Sequence, residues 1–389
     1  MNATIIYHCG VMEAIKPFYR ALADCGVRVS VIVPRKVIVD PIYTTRNCLT
    51  VSPEDQPAGY KLIPIDLIDF RYYNLGFHLA QLYHAIKTSE PDIIHVFNEY
   101  HCFPVTQVIF IRNRFLKKKV PVAIYGFQNI DYLKLKNRTP GDFLKTMMRG
   151  VIVRYNLKHL DGITAASEEA LWLLKKRSPN ISAKKIFWGI DTAVFFPQEK
   201  EHSRRKLMLP PEGVIIGYFG RMVQEKGIEC LLKAAARLKN VYLLLIGEGP
   251  HSGKIKQMAR ELLLPDRILY KPGVPRDQLN DYYNSLDCFV LPSQTTPMWK
   301  EQYGRVLVEA MLCGIPVVGS NSGAIAEIIQ GYPRQRIFQE GDDRDLAECI
   351  AELLNKKSVA AGPFPLEKFS MENFAREHAE FYHSLITSL

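Results

Sequence analysis

Two short stretches gather the residues best suited to chemistry. The first is Gly220-Arg221-Met222-Val223-Gln224-Glu225-Lys226-Gly227. It follows an apolar run at 214–219 that reads as a strand, and it opens a helical pattern. Gly220 and Gly227 allow tight turns and close backbone approach. Arg221 and Lys226, held beside a helix N-terminus, suit an anionic diphosphate. By spacing alone they could equally be surface cations that solubilise a loop. The second stretch is Glu301-Gln302-Tyr303-Gly304-Arg305-Val306-Leu307-Val308-Glu309. A helix starting near Gly304 leaves Glu301 in the preceding loop and puts Glu309 on the helix. The amides of Gly304, Arg305 and Val306 would then be free to meet phosphate oxygens. Glu309 borders the apolar run Ala310-Met311-Leu312-Cys313, where an unpaired carboxylate is costly. A carboxylate there accepts hydrogen bonds from vicinal hydroxyls such as those of a ribose.

The elements that must carry these residues form two repeats of one scheme. Apolar, β-branched runs at 4–7, 27–33, 93–97, 120–125 and 162–164 alternate with helical patterns, among them 11–23 and 142–158. The pattern resumes with strands at 214–219, 241–246, 267–270, 288–291 and 316–319. Helices are expected at 227–238, 253–263, 276–285 and 305–313. Such alternation predicts parallel sheets with right-handed crossovers, an α/β architecture of two Rossmann-like doubly wound domains facing a central cleft. Ligands of such sheets bind beyond the carboxyl ends of the strands. The boundary is expected at 195/196, before the charged stretch 198–206 and Pro210-Pro211. This gives an N-terminal domain over 1–195 and a C-terminal domain over 196–370. A final amphipathic helix, within 371–389, is expected to pack back on the first domain.

Charge separates the halves. The chain has 389 residues and a net charge of +10, all of it within 1–195, where 26 basic residues face 16 acidic ones. Residues 112–185 hold 17 basic and 5 acidic side chains. An excess of this kind fits an anionic substrate, a membrane surface or nucleic acid. No aromatic–basic RNA-reading motif accompanies it. The eight cysteines include no Cys-x-x-Cys pair, which fits a reducing compartment better than a disulfide scaffold. No signal-peptide pattern opens the chain, and no apolar run reaches the roughly 18–20 residues of a membrane span. The one Asp-x-Asp, Asp343-Arg344-Asp345, reads as a helix start rather than a metal site.

Together the motifs resemble the retaining glycosyltransferases of the GT-B fold, family four, also called glycosyl transferases group 1. The likeness adds Asp161-Gly162-Ile163-Thr164-Ala165-Ala166-Ser167-Glu168, Gly189-Ile190-Asp191 with Phe196-Pro197, Gly247-Glu248-Gly249-Pro250, Pro272-Gly273-Val274-Pro275, and Pro316–Ser320 with Gly323 and Glu327. It implies that the C-terminal domain binds a nucleotide-sugar donor and the N-terminal domain an acceptor. Arg221 and Lys226 would bind the diphosphate, with Gly220, Gly249, Gly304, Arg305 and Val306 around it. Glu309 would bind the ribose, Val274 the base through its main chain, and Glu301 the donor sugar. Gly10 matches a glycine-containing loop facing acceptor and phosphates.

One position departs from the family. Where many members carry a histidine after the strand at 120–125, this chain has Gln128. Glutamine donates a hydrogen bond but cannot become a cation. Either Gln128 is a neutral contact, or His101 takes part of the role.

The resemblance implies retaining transfer to an acceptor hydroxyl, with no metal or other cofactor, the nucleotide-sugar being a substrate. An apolar–basic segment over 105–158 points to an anionic membrane surface. The acceptor would then be a lipid-linked sugar, a glycolipid or a polysaccharide precursor. The expected location is cytoplasmic, with peripheral attachment to the inner face of the cell membrane. Other GT-B activities remain open: transfer to a soluble small molecule or sugar phosphate, or sugar-nucleotide epimerisation. A basic nucleic-acid-binding protein is the reading from another class, though no nucleic-acid partner is expected.

Overall fold

Apolar runs too short for helices become strands buried on both faces, and the amphipathic segments between them become covering helices. The structure is a computed structural model that describes all residues except 39–47, 53, 73–74, 132–139, 263–264, 356–363 and 389. The chain divides into two compact units, Met1–Gly189 with Ser370–Leu389, and Ile190–Phe369.

In the first unit the strands are β1 (Asn2–Ile6), β2 (Arg28–Pro34), β3 (Lys36–Ile38), β4 (Cys48–Thr50), β5 (Lys61–Ile65), β6 (Ile93–Val96), β7 (Val122–Gly126), β8 (Gly162–Ala165) and β9 (Ser182–Lys185). The helices are α1 (Lys16–Asp24), α2 (Leu79–Thr88), α3 (Phe103–Phe115), α4 (Pro140–His159) and α5 (Glu168–Arg177). Among the described residues, seven strands form one sheet in the order β5-β2-β1-β6-β7-β8-β9, paired in parallel. β3 and β4 make a separate antiparallel pair.

The second unit holds α6 (Lys200–Lys206), β10 (Val214–Phe219), α7 (Ile228–Arg237), β11 (Val241–Ile246), α8 (Ser252–Leu262), β12 (Ile268–Lys271), α9 (Leu279–Asn284), β13 (Cys288–Leu291), α10 (Arg305–Leu312), β14 (Val317–Ser320), α11 (Ile325–Ile329), β15 (Gln335–Phe338) and α12 (Asp343–Asn355). Its sheet runs β12-β11-β10-β13-β14-β15, all parallel. Chain order reverses between β10 and β13, the switch point where such sheets open a ligand crevice.

Two expectations shift. The division falls at Gly189/Ile190 rather than 195/196, because the connector already belongs to the second unit. Ile190 N donates to Phe369 O at 2.7 Å, Phe195 packs on Tyr283 at 5.7 Å, and Phe196 N donates to Asn280 Oδ1 at 3.0 Å. Strands β3, β4, β5, β9 and β15 had no expected counterpart. β3 and β4 are three residues each, β5, β9 and β15 lie at sheet edges, and β9 and β15 carry mostly half-exposed polar residues that never read as an apolar run.

The last helix, α13 (Met371–Thr387), packs on α1 in the first unit. Ser370 caps it, its hydroxyl accepting from Asn373 N at 3.0 Å. Phe374 meets Phe18 at 4.6 Å and Trp188 at 5.2 Å. His378 and Tyr382 enter the same core, where Tyr382 Oη lies 2.7 Å from His95 Nδ1.

Candidate active site

In the second unit, four loops at the carboxyl ends of the strands are knitted together backbone to backbone. Gly220 N donates to Ile246 O at 2.9 Å, Met222 N to Glu248 O at 2.9 Å, and His251 N to Met222 O at 2.9 Å. Gln294 N donates to Glu225 O at 2.8 Å, joining the loop after β13 to that after β10. Ala324 N donates to Glu301 O at 3.0 Å, joining the loop after β14. Glycine is required at the crossings. A Cβ on Gly227, whose φ is +63°, would stand 1.9 Å from Pro292 O, and one on Gly249 would stand 2.4 Å from Met222 O.

This knitting brings the two sequence motifs together. Lys226 Nζ lies 2.6 Å from Glu301 Oε2 and 4.8 Å from the centre of the Trp299 ring. Ser293 Oγ donates to the same Glu301 oxygen at 2.7 Å. Arg221 shares the loop of Lys226, and its carbonyl accepts the Tyr218 hydroxyl at 2.7 Å. The result is a cation backed by an aromatic face and a buried carboxylate, at the β10/β13 switch point.

A second carboxylate sits one helix away. Gly304, with φ +78°, caps α10, so Arg305 and Val306 fall in its first turn. Amides of a helix's first turn have no acceptor within their own helix. Glu309 is 2% exposed. Its Oε2 accepts from Tyr283 Oη at 2.8 Å, while its Oε1 meets Arg276 Nη1 at 3.0 Å and Arg305 Nε at 3.4 Å. Burial pulls the Arg276 guanidinium below its ordinary pKa, and Glu309 pushes the other way. Half-buried Val274 precedes Arg276 by two residues, so Arg276 ties the Val274 loop to Glu309. Arg276 and Tyr283 were not anticipated. The available signal was the buried Glu309, which needs a cation.

In the first unit, Gln128 and His101 come together beyond β7 and β6. Gln128 is buried, and its Nε2 donates to Ile130 O at 2.9 Å. Burial, and then Arg149, holds the His101 imidazole down at about 4, with the Gln128 hydrogen bond acting the other way. Gly10 lies in the turn after β1, where its N donates to Tyr7 O at 3.1 Å. A carboxyl that sequence reasoning missed lies beside them. Glu99 Oε1 accepts from Phe127 N at 2.8 Å and Gln128 N at 3.0 Å, while its Oε2 is buried without a partner among the described residues. Burial pushes its pKa up to about 7, against those two amides. A carboxylate just past a parallel strand's carboxyl end was the signal.

Asp343 opens α12 and pairs with Arg237 at 2.6 Å. Among the described residues no three His, Cys, Asp or Glu side chains are grouped to hold a metal ion. The cysteines are unpaired, and Cys102, Cys230, Cys288, Cys313 and Cys349 are buried. No helix of the described residues is long and apolar enough to cross a membrane.

Two units, each built on a doubly wound parallel sheet, make up the framework of the GT-B fold. Residues 199–363 match the family model described as Glycosyl transferases group 1. It is 32% identical over 178 residues to the D-inositol 3-phosphate glycosyltransferase of Mycolicibacterium smegmatis, covering 44% of this chain and 40% of that protein. It is 25% identical over 248 residues to the N-acetyl-alpha-D-glucosaminyl L-malate synthase of Bacillus anthracis, covering 60% of this chain and 62% of the other. The chain thus spans about two fifths to three fifths of these relatives. Its fold matches that of Anabaena Alr3699/HepE, solved in complex with UDP, with a TM-score of 0.72 at 17% identity, covering 99% of this chain and 100% of that one. The GT-B fold expected from the sequence is borne out.

Proposed function

We propose that the protein is a retaining, metal-independent glycosyltransferase that moves a sugar from a nucleotide-sugar to an acceptor hydroxyl. The observation that carries this reading is the Lys226–Glu301 pair at the β10/β13 switch point, with Glu309 held within the next helix. Lys226 and Arg221 take the diphosphate, with Gly220, Gly249 and the first amides of α10 around it. Glu309 takes the ribose hydroxyls and the Val274 backbone the base. Glu301 steers Lys226 and meets the sugar.

In the transfer, the bond between sugar C1 and phosphate oxygen breaks while the acceptor oxygen bonds C1 on the same face. The acceptor proton passes to the departing phosphate. Catalysis then rests on positioning and on charge stabilisation of the leaving diphosphate, which two cations can supply. Gln128 and His101 contribute neutral contacts on the acceptor side. At neutral pH an imidazole held at about 4 carries no charge.

The acceptor on this reading is a lipid-linked sugar, a glycolipid or a polysaccharide precursor met at an anionic membrane surface through 105–158. Lys134, Lys136 and Arg138 of that segment lie outside the described residues. A soluble acceptor is the second reading, and the names of the two relatives favour it, since inositol 3-phosphate and L-malate are both soluble.

The test is a thermal-shift screen against UDP-, GDP- and ADP-sugars with and without chelator, followed by transfer assays. One donor should raise the melting temperature, since a ligand bound only to the folded state stabilises it. Lys226→Ala should lower turnover by roughly 100-fold or more with the fold retained. Full activity in that variant, or loss of activity with chelator, would refute the corresponding part.

A further inference from the structure

Helices α3 and α4 lie side by side on the first unit's sheet. Their inner faces are ordinary core, with Val105, Val108 and Ile109 from α3 and Val153 and Leu157 from α4 fully or nearly buried. The outer face of α4 is not ordinary surface. Phe143, Leu144, Met147, Met148 and Val151 are all exposed, Val151 by 66% and Phe143 by 60%. Residues 143, 147 and 151 share one stripe at a spacing of four, and 144 and 148 stand next to it. A solvated helix normally carries charged residues there.

The stripe runs into a groove of about 440 Å³ between α2, α3 and α4, walled by Leu79, Phe103, Phe110, Val151, Ile152 and Tyr155. The same two helices end in a recess of about 460 Å³ of opposite character, lined by Lys117, Lys118, Lys119 and Lys158. Lys118 is bound to Asp92 at 2.7 Å, and Arg112 behind it to Asp161 at 2.6 Å. Lys117, Lys119 and Lys158 have no carboxylate partner among the described residues.

Orientation follows from topology. In a parallel β–α–β–α–β run both helices start at the carboxyl ends of their strands, the end that carries Glu99, His101 and Gln128. The apolar stripe therefore begins at that edge, and Arg149, on another side of the same helix, acts electrostatically on His101. The basic recess lies at the far end of α4, about 30 Å away at 1.5 Å per residue. A second copy of the chain is a poor cover for this face. Residues 112–185 hold 17 basic and 5 acidic side chains, so two copies would repel. An anionic surface with an apolar interior complements both halves.

We propose that the α3–α4 face docks on an anionic lipid leaflet, with the groove taking one hydrocarbon chain of the lipid that bears the acceptor sugar and the lysines at the helix ends pairing with lipid phosphates. Only the acceptor's place in the reaction depends on the transferase reading. The docking surface is defined by its own chemistry.

Flotation with vesicles of phosphatidylglycerol and phosphatidylcholine, against phosphatidylcholine alone, tests the docking. The full chain should bind the anionic vesicles at least about ten-fold better, and the difference should shrink with salt. The double variant Met147→Asp/Val151→Asp should lose roughly ten-fold or more in binding, because a charge replaces inserted apolar side chains. Lys117→Glu/Lys119→Glu/Lys158→Glu should remove the preference for anionic lipid. Both variants alter exposed residues, so melting temperature and any shift induced by the nucleotide-sugar should match the unaltered chain.

The groove is tested with dodecyl glucoside below its micelle concentration. It should raise the melting temperature where glucose does not, and Phe110→Asp should abolish that rise. An unaltered chain that ignores anionic vesicles, or variants that bind like it, would overturn the docking. A dimer that Val151→Asp separates would assign the face to a second copy instead. Vesicle binding without any nucleotide-sugar response would refute the transferase reading and leave the docking surface standing.

Discussion

At the scale of single residues, the candidate site depends on buried carboxylates that cations reach. Glu309 shows the logic. At 2% exposure it would be intolerable alone, and Arg276, Arg305 and Tyr283 offset its lost hydration. Arg276 also lies over the Phe195 ring at 4.8 Å, so its stem is fixed by packing. Arg276→Met removes the nearer cation and leaves Glu309 underpaired. The expected outcome is a loss of about 3 kcal/mol in stability and weaker binding of the nucleotide that the unaltered chain accepts. Denaturant melts and nucleotide titration check this, and an unchanged midpoint with unchanged affinity would remove Arg276 from the site. The two glutamates, with seven residues between them, were legible in the sequence. Their cationic partners were not, because Lys226 and Arg276 come from other loops and nothing local marks the pairing.

At the scale of elements, the site exists because four loops cross without side chains between them. Gly227→Ala illustrates the constraint. The methyl group would meet a backbone carbonyl at 1.9 Å in a left-handed conformation, so the loop itself must move. Lys226, the preceding residue, would lose its alignment with Glu301. Transfer should fall by roughly ten-fold or more, with a modest drop in melting temperature. Gly253→Ala is the control: it lies in α8 with nothing within 4 Å of the added Cβ, and should stabilise by about 0.5–1 kcal/mol. Equal behaviour of the two variants would show that the crossing does not matter. The central strands β10, β11 and β13 were legible as apolar runs. The edge strands β9 and β15 were not, since a strand exposed along one side has no continuous apolar signal.

At the scale of the whole molecule, the first unit buries several histidines in neutral form. Burial holds His8 and His101 at about 4 and His378 at about 3, and lowers His95 well below its ordinary value. Each folded-state pKa lies below the unfolded value near 6.5, so the folded chain binds fewer protons in this range. Their contribution is complete above pH 6.5 and is lost as pH falls toward 4. Glu99 acts in the opposite sense between about 7 and 4.5, because its raised pKa lets the folded state keep a proton. Four histidines outweigh one glutamate. Stability should therefore fall steadily from pH 6.5 to 4.5, by up to ~1.4 kcal/mol per pH unit for each histidine, and the melting temperature with it. His378→Leu should flatten that slope by about one proton. Calorimetry across the range tests this, and a flat profile in the unaltered chain would contradict it.

The order of the central strands, the glycine-flanked cations, the paired glutamates and the basic first half were determined by the sequence alone. Period, turn chemistry and net charge are local or additive, so they survive without coordinates. Only the tertiary structure decided that Lys226 closes on Glu301 from another loop, that Glu309 is satisfied by Arg276 and Tyr283, and that Gln128 lies with His101 and an unanticipated Glu99. It also decided which apolar residues of 105–158 are core and which stand exposed as a stripe. Helical periodicity marks a face but not what covers it, and a carboxylate's partners depend on which loops the sheet order makes neighbours.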